Sequence, residues 1–394
     1  MTVTAKGQQL RADIIKQLYY RKALSLTEIS KRTKKSLPLI TTTVNMLIKE
    51  QYIIEQGLAP STGGRRAQTF LLNPKKEKYV VAVAMDQLTT RMVIYNLAQE
   101  IVMPVKNLDL DIQDQDAVAK LSQFINRQIE VAGLAKNQIL GVGIGMPGFV
   151  NITEGINYSC LKPADGSNLR QYLAQALGLP VHIDNDSSLI ALAELNFGVA
   201  RDKKDVLVVN IGWGTGLGMI VNGGLYRGSS GYAGEFSHIP LSKTSNLCSC
   251  GKVGCLEVDT SLLVMVANAE KALAEGSVSI MSELFKDEQK HKADHFLDAV
   301  VKRDPLAIAI LSDAAFQIGK GLATLIHIMN PESIVLSGRG AKAGKMLLPA
   351  IEQAINEFCI PRIAEKTTIV LSKLIEDAEL MASASLVIAH SLFN

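Results

Sequence analysis

Two stretches of this chain, VVAVAMDQLTTRMVIYN (80–96) and VLVVNIGWGTGLGMIVN (206–222), align without a gap at an offset of 126 residues. Each reads as strand, loop and strand. Alternating Val/Ile hairpins are common, and it is the order of elements behind each copy that makes a duplication. The first is followed by a strand (EIVMPV), a helix over about 115–132 and a buried strand with a glycine-rich turn (ILGVGIGMPG). A helix (NLRQYLAQALG), a strand (PVHID) and a helix (SLIALAELNFG) come next. The second copy leads to a long helix over 305–329, the strand SIVLSG, the helix KMLLPAIEQAINEF, the strand TTIVLS and a C-terminal helix. The expectation is an α/β body of two similar lobes, 79–200 and 201–394, with ligands bound in the cleft between them.

The 78 residues ahead of the body differ in charge. They hold 15 Lys+Arg against 5 Asp+Glu, whereas the remainder holds 26 basic and 33 acidic residues. A basic segment on a mildly acidic body suits a polyanion-binding module. Its apolar residues recur at helical spacing (Leu10, Ile14, Ile15, Leu18), which a flexible tail has no need of. SLTEISKRT offers a second helix with Thr27 in the capping position. A third runs over Ser36–Glu50, with Ser36 as N-cap and Pro38 in the first turn. YIIE, the basic turn PSTGGRRAQ and TFLLN then make a hairpin. Three helices and a β-wing are the winged helix-turn-helix pattern, expected over 1–72, with 73–78 as linker and operator DNA as partner. The candidate DNA contacts are Lys34, Lys35, Ser36, Leu39, Thr41, Thr42 and Asn45 around the recognition helix, and Arg65 and Arg66 at the wing tip. Two-fold operator logic adds a homodimer or higher homo-oligomer.

With 394 residues, 47% of them hydrophobic and 20% charged, the composition is that of a soluble globular protein of more than one domain. No apolar signal-peptide core opens the chain and no apolar run suggests a bilayer span, which makes a cytoplasmic protein with no membrane partner the expectation. Three of the five cysteines, Cys248, Cys250 and Cys255, lie within eight residues and follow His238. Three thiolates and an imidazole suit a closed tetrahedral zinc site, structural because no ligand position is left open.

These motifs come in a recognisable order. GE-x-x-H followed by C-x-C-G-x-x-G-C-L-E, together with GVGIGMPGFV, HIDNDSSLIALAE, GLGMIVNGGLYRG and VLSGRG, resembles the ROK family of repressors, open reading frames and kinases. The likeness runs from about residue 79 to the C-terminus, and the N-terminal module with its GGRR wing resembles the DNA-binding part of the repressor members. The resemblance implies an actin-like, ribonuclease H-like sugar-kinase fold after the winged helix. It also implies sugar contacts at Asn185, Asp186, Glu235, His238 and Glu257, with Gly148 and Asn168 lining the same pocket. Asp186 would be the kinase general base.

One departure weighs against kinase activity. Kinases of the family carry Asp-x-Gly-Gly-Thr in the first hairpin, where glycines let backbone amides approach the phosphates of ATP. This chain has Asp86-Gln87-Leu88-Thr89-Thr90. The second loop, Gly212–Gly218, remains glycine-rich, which fits either anion binding or tight packing. The reading is a sugar-responsive DNA-binding regulator, a repressor, that takes a sugar or sugar phosphate and for which ATP is not the expected cofactor. Asp186 is then a recognition residue in a vestigial base position, and no residue is expected to be catalytic. The alternative is an ATP-dependent kinase of a hexose or N-acetylhexosamine with a fused DNA-binding domain.

Overall fold

The chain starts with α1 (Ala5–Arg21), β1 (Ala23–Ser25), α2 (Leu26–Thr33), α3 (Leu37–Lys49), β2 (Ile53–Leu58) and β3 (Gln68–Leu72). The computed structural model describes residues 5–58, 68–242, 244–374 and 378–393. The three helices and the hairpin follow the expected order, and β1 joins them to give a sheet ordered β1–β3–β2. Leu10, Ile14, Ile15 and Leu18 are buried at the helical spacing read from the sequence, and Ile29, Ile40, Val44 and Leu47 of α2 and α3 are buried as well. The cap of α2 differs from expectation. Ser25, not Thr27, is the N-cap, and it forms a capping box with Glu28. Ser25 Oγ accepts from the Glu28 N–H at 3.3 Å, and the Glu28 carboxylate accepts from the Ser25 N–H at 2.8 Å. The Ser-x-x-Glu pattern satisfies two orphan helix-end groups, worth about 1 kcal/mol, whereas Thr27 lies inside the helix. Residues 73–78 form a hydrogen-bonded turn: Asn73 N–H donates to Tyr52 O at 2.9 Å and its Oδ1 accepts from Lys75 N–H at 3.0 Å.

Next come β4 (Tyr79–Met85), β5 (Thr89–Asn96), β6 (Ile101–Asp109), α4 (Ala117–Val131), β7 (Ile139–Met146), β8 (Val150–Asn151), β9 (Ile156–Asn157), α5 (Leu169–Leu177) and β10 (Val181–Asn185). Then follow α6 (Asp186–Asn196), β11 (Val206–Ile211), β12 (Thr215–Val221), β13 (Gly224–Tyr226), α7 (Glu257–Thr260), α8 (Leu262–Ala274), α9 (Met281–Leu284), α10 (Lys292–Val301) and α11 (Pro305–Met329). The chain closes with β14 (Ser333–Ser337), α12 (Leu348–Phe358), α13 (Pro361–Ala364), β15 (Thr368–Leu371) and α14 (Ala378–His390).

Two five-stranded sheets share one topology, β6–β5–β4–β7–β10 and β13–β12–β11–β14–β15. In each, an antiparallel hairpin is extended on one side by a third antiparallel strand, and its first strand pairs in parallel on the other side. The duplication is therefore structural, but not gapless. Met85 pairs with Thr90 across four residues, while Ile211 pairs with Thr215 across three. The first hairpin loop is one residue longer.

The chain divides into two compact units, Met1–Asp184 with Leu380–Asn394, and Asn185–Glu379. This corrects the expected boundary at 200/201. Helix α6 belongs to the second sheet because the glycines of β12 admit it: a Cβ at Gly218 would fall 2.2 Å from Ala191 Cβ. The buried Glu194 carboxylate fastens the same helix there by accepting from Val199 N–H at 3.0 Å and from the Ser337 and Ser372 hydroxyls. Helix α14 returns to the first sheet, where Ser383 Oγ donates to Val83 O at 2.8 Å. Helix α11, with 25 residues, has the length and mean hydropathy of a membrane span, which the sequence reading overlooked. Its small residues pack in the second unit, Gly319 against Ile351 and Ala354 and Gly321 against Phe236.

The last turn of α14 stacks His390 on His182 of β10, with centroids 4.5 Å apart and planes at 17°. Burial, reinforced by the charges of His390 and Arg170, pushes the His182 imidazole down to about 4. The unfolded chain therefore takes up a proton that the folded chain refuses. The stability involved is present in full above the ordinary value of 6.5 and is lost as pH falls through 6.5 towards 4. We expect a loss of about 1–2 kcal/mol over that window, less than the full shift because solvent screens the half-buried imidazole, and abolished in His182→Phe. Urea unfolding at pH 7.5 and 4.5 measures it, and an unchanged pH slope in the variant contradicts the assignment.

Candidate functional site

The segment between β13 and α7 carries His238 on a short 3-10 turn (Phe236–His238), followed by the three cysteines. His238 Nδ1 lies 3.6 Å from Cys248 Sγ, and Cys250 Sγ lies 3.6 Å from Cys255 Sγ. All four donor atoms fall within 4.8 Å of one another. A tetrahedral ion with metal–sulfur bonds of about 2.3 Å needs donors roughly 3.8 Å apart, which this arrangement matches. Gly251 (φ +84°) and Gly254 (φ +86°) make the left-handed turns that fold the ligands back on one another. Burial and the neighbouring thiols push the Cys255 thiol up to about 12, a cost that a bound cation would remove. Burial lowers the His238 value and keeps its imidazole in the neutral, ligating form. The donor set can hold a metal ion. On the other edge of the ring, His238 Nε2 faces Glu235 Oε2 at 3.8 Å.

Asn185, not Asp184, caps α6. Its Oδ1 accepts from the Ser187 and Ser188 N–H groups at 3.0 and 3.2 Å, whereas Asp184 is buried inside β10. Asp186 opens the helix, half-buried, and accepts from Ser187 N–H at 2.7 Å. A series of contacts runs from there through the second unit. Ser187 Oγ accepts from Asn210 Nδ2 at 3.0 Å, and Thr215, which starts β12, donates its N–H to Glu257 Oε2 at 2.9 Å. Burial raises the carboxyl groups of both Glu257 and Glu235, and the Glu235 charge adds to the shift of Glu257. Gly148 (φ +96°) and Asn168 belong to the first unit. Asn168 is the N-cap of α5: Oδ1 accepts from Gln171 N–H at 2.7 Å and Nδ2 donates to Glu154 O. Both ends of this amide make hydrogen bonds within the first unit.

The two hairpin loops are held in different ways. In the first, Asp86 Oδ1 accepts from Leu88 N–H at 2.8 Å and from Thr89 N–H at 2.7 Å. The amides that would cradle a phosphate are taken by the loop's own carboxylate. In the second, the glycines are explained by packing: a Cβ would fall 2.6 Å from Glu257 Oε1 at Gly214 and 2.0 Å from Ser187 Oγ at Gly216. The Arg339 guanidinium lies 4.8 Å from the Trp213 ring and binds Asp294 at 2.8 Å, while His291 meets the same indole edge-on at 4.3 Å. Arg339 lies in the VLSGRG motif, which by itself shows none of these partners. The single tryptophan of the chain, set in a glycine-rich loop, was the available signal.

In the N-terminal module, α3 buries Ile40, Thr43, Val44 and Leu47 and leaves Leu37, Leu39 and Met46 exposed by 38–47%. Lys34, Lys35, Ser36, Thr42 and Asn45 are exposed as well, and Thr41 is half-buried. Ser36 stands at the N-cap without a capping hydrogen bond from its side chain. The Thr41 and Thr42 hydroxyls donate to Leu37 O at 2.9 Å and Pro38 O at 3.0 Å, which turns their methyl groups and acceptor lone pairs outward. Arg65 and Arg66 lie outside the described residues.

Several known proteins are similar to this chain. A xylose repressor from Caldicellulosiruptor bescii is 26% identical over 383 residues, 96% of this chain and 95% of its own, and so includes most of the N-terminal module. A glucokinase from Halalkalibacterium halodurans is 29% identical over 320 residues, 79% of this chain and 95% of its own. Among solved structures, a ROK family transcriptional regulator, a homolog of the Escherichia coli MLC protein, superposes with a TM-score of 0.77 at 26% identity, covering 97% of this chain and 96% of its own. The duplicated sheet is accordingly the actin-like one. The ROK family model matches residues 86–390, three quarters of the chain, and with the repeated topology and the His/Cys segment this places the protein in the ROK family.

Proposed function

We propose that this protein is a sugar-responsive DNA-binding transcriptional repressor of carbohydrate metabolism, cytoplasmic and acting as a homodimer or higher homo-oligomer. One observation carries the reading: a basic three-helix module with an exposed apolar and hydroxyl face on α3 is fused to a body whose first phosphate loop is closed by Asp86. The full-length similarity to a xylose repressor supports it. The N-terminal module forms a winged helix-turn-helix, with Lys34, Lys35, Arg65 and Arg66 meeting phosphates and Ser36, Leu39, Thr41, Thr42 and Asn45 facing the major groove. The effector, a sugar or sugar phosphate, has hydroxyls that both donate and accept; Asn185, Asp186, Glu235, His238 and Glu257 supply matching partners, and Gly148 and Asn168 of the first unit are further candidate contacts.

In this reading the four His/Cys ligands hold zinc. Bound there, zinc would pin the segment and supply no chemistry, because four protein ligands leave no open position. His238 links the cluster to Glu235, and Glu235 is thereby oriented for a sugar hydroxyl.

A second reading, an ATP-dependent sugar kinase with a fused DNA-binding module, is favoured by one observation. Asn210 Oδ1 and Trp213 Nε1, both buried at the second hairpin loop, have no hydrogen-bond partner among the described residues. One experiment separates the two. A sugar at about 100 times its Kd should stabilise the protein by about 2.7 kcal/mol, with ATP adding nothing and no ADP released. Asp186→Ala should remove that stabilisation. Sugar-dependent ADP release that Asp186→Asn abolishes would establish the kinase instead.

A further inference from the structure

We propose that the turn joining the N-terminal module to β4 is a binding site for a small phosphorylated ligand, separate from the sugar residues. A concavity of about 620 Å³ opens there, within the range of small-molecule sites. One wall comes from Gln51 and Ile54, at the end of α3 and the start of β2; the other is the turn itself, with Pro74, Lys75, Lys76 and Lys78. Three lysines therefore line one hollow. Two are held in place by neutral acceptors: Lys76 Nζ donates to Glu50 O at 2.9 Å and lies 4.3 Å from the Tyr52 ring centroid, and Lys78 Nζ donates to Asn137 O at 3.0 Å. Backbone carbonyls fix an ammonium without cancelling its charge.

The nearby carboxylates offset only part of this charge. Glu77, the single acidic residue of the lining, accepts from Gln138 Nε2 at 3.1 Å. Glu50 is paired through both oxygens with Arg11. Lys75 is exposed. What remains is a fixed excess of positive charge over an apolar floor of Ile54 and Pro74. Lysines act as point charges and suit the compact, multiply charged phosphate, whereas planar recognition of a carboxylate favours arginine, which is absent from this lining.

Position favours a small ligand over DNA. The hollow lies at the C-terminal end of α3, about 20 Å along the helix from Ser36, and at the end of the hairpin where β2 begins and β3 ends. A ligand here would bridge the module and the segment entering β4, and so bias how that module is held against the first sheet.

The test uses the full chain and sodium pyrophosphate in calorimetric titrations at constant ionic strength. One saturable site is expected. Lys75→Glu, at an exposed position, should fold normally by circular dichroism and bind pyrophosphate about tenfold more weakly. Lys106→Glu, an equal charge reversal exposed on β6, should bind as the parent does. Absence of saturable binding, or equal weakening by the two variants, overturns the proposal. So does a result in which short duplex DNA, and not pyrophosphate, senses Lys75→Glu, because these lysines then belong to the DNA surface.

Discussion

Cys255→Ser is expected to reduce bound metal from about one equivalent per chain to a small fraction, and to lower the melting temperature markedly. Cys255 is almost fully buried beside Cys250, so a serine hydroxyl in its place would bring a hard, protonated oxygen into a soft-donor cluster. Structural zinc sites contribute on the order of ten kcal/mol in small domains; here, where the ion orders one segment of a large unit, several kcal/mol of local stability is the expectation. The damage should extend to sugar binding. His238 uses Nδ1 towards Cys248 and Nε2 towards Glu235, and freeing one edge of the ring releases the other. Elemental analysis and a sugar-induced thermal shift read both effects. Cys359→Ser, a buried thiol outside the cluster, serves as control and should retain the metal. Parent-level metal in Cys255→Ser would refute the ligand set.

Gly143→Ala should cost at least about 3 kcal/mol, above the usual overpacking range, because the added methyl meets backbone. Its Cβ would fall 1.9 Å from Ser383 O and 3.1 Å from a Val387 methyl, and neither β7 nor α14 can move away cheaply. The hydrogen bond from Ser383 to Val83 lies on the same contact. Displacing α14 would also disturb the N-terminal module, since Lys16 Nζ donates to Ala389 O at 2.6 Å and Tyr52 Oη to Phe393 O at 3.5 Å. Gly224→Ala is the control: its Cβ would meet nothing nearer than 3.9 Å. Equal urea midpoints for the two variants would show that the approach of α14 to the sheet is not tight.

Much of the site was legible because its residues are close in sequence. Cys248, Cys250 and Cys255 with His238 ten residues before the first of them declare a soft-donor cluster by composition and spacing alone. Asn185 was legible as a residue of interest but not as the cap, because Asp184, Asn185 and Asp186 are all competent caps and only backbone dihedrals choose among them. The glycines of 212–218 were ambiguous for a related reason. A glycine marks close approach without saying to what, and the neighbours turned out to be Glu257 and α6.

The sequence by itself determined the basic helical module, the repeated hairpins, the His/Cys cluster and the loss of glycines at Leu88 and Thr89. Each depends on periodicity, local spacing or residue chemistry, which a linear chain displays. Tertiary structure alone decided that Asp86 occupies the amides of its own loop, that the two hairpins differ by one residue in register, and that α14 closes the first sheet across 240 positions of sequence. These are matters of which surfaces meet. Burial selects the meeting surfaces by shape and hydrogen-bond complementarity, and neither is written in the order of residues along one strand.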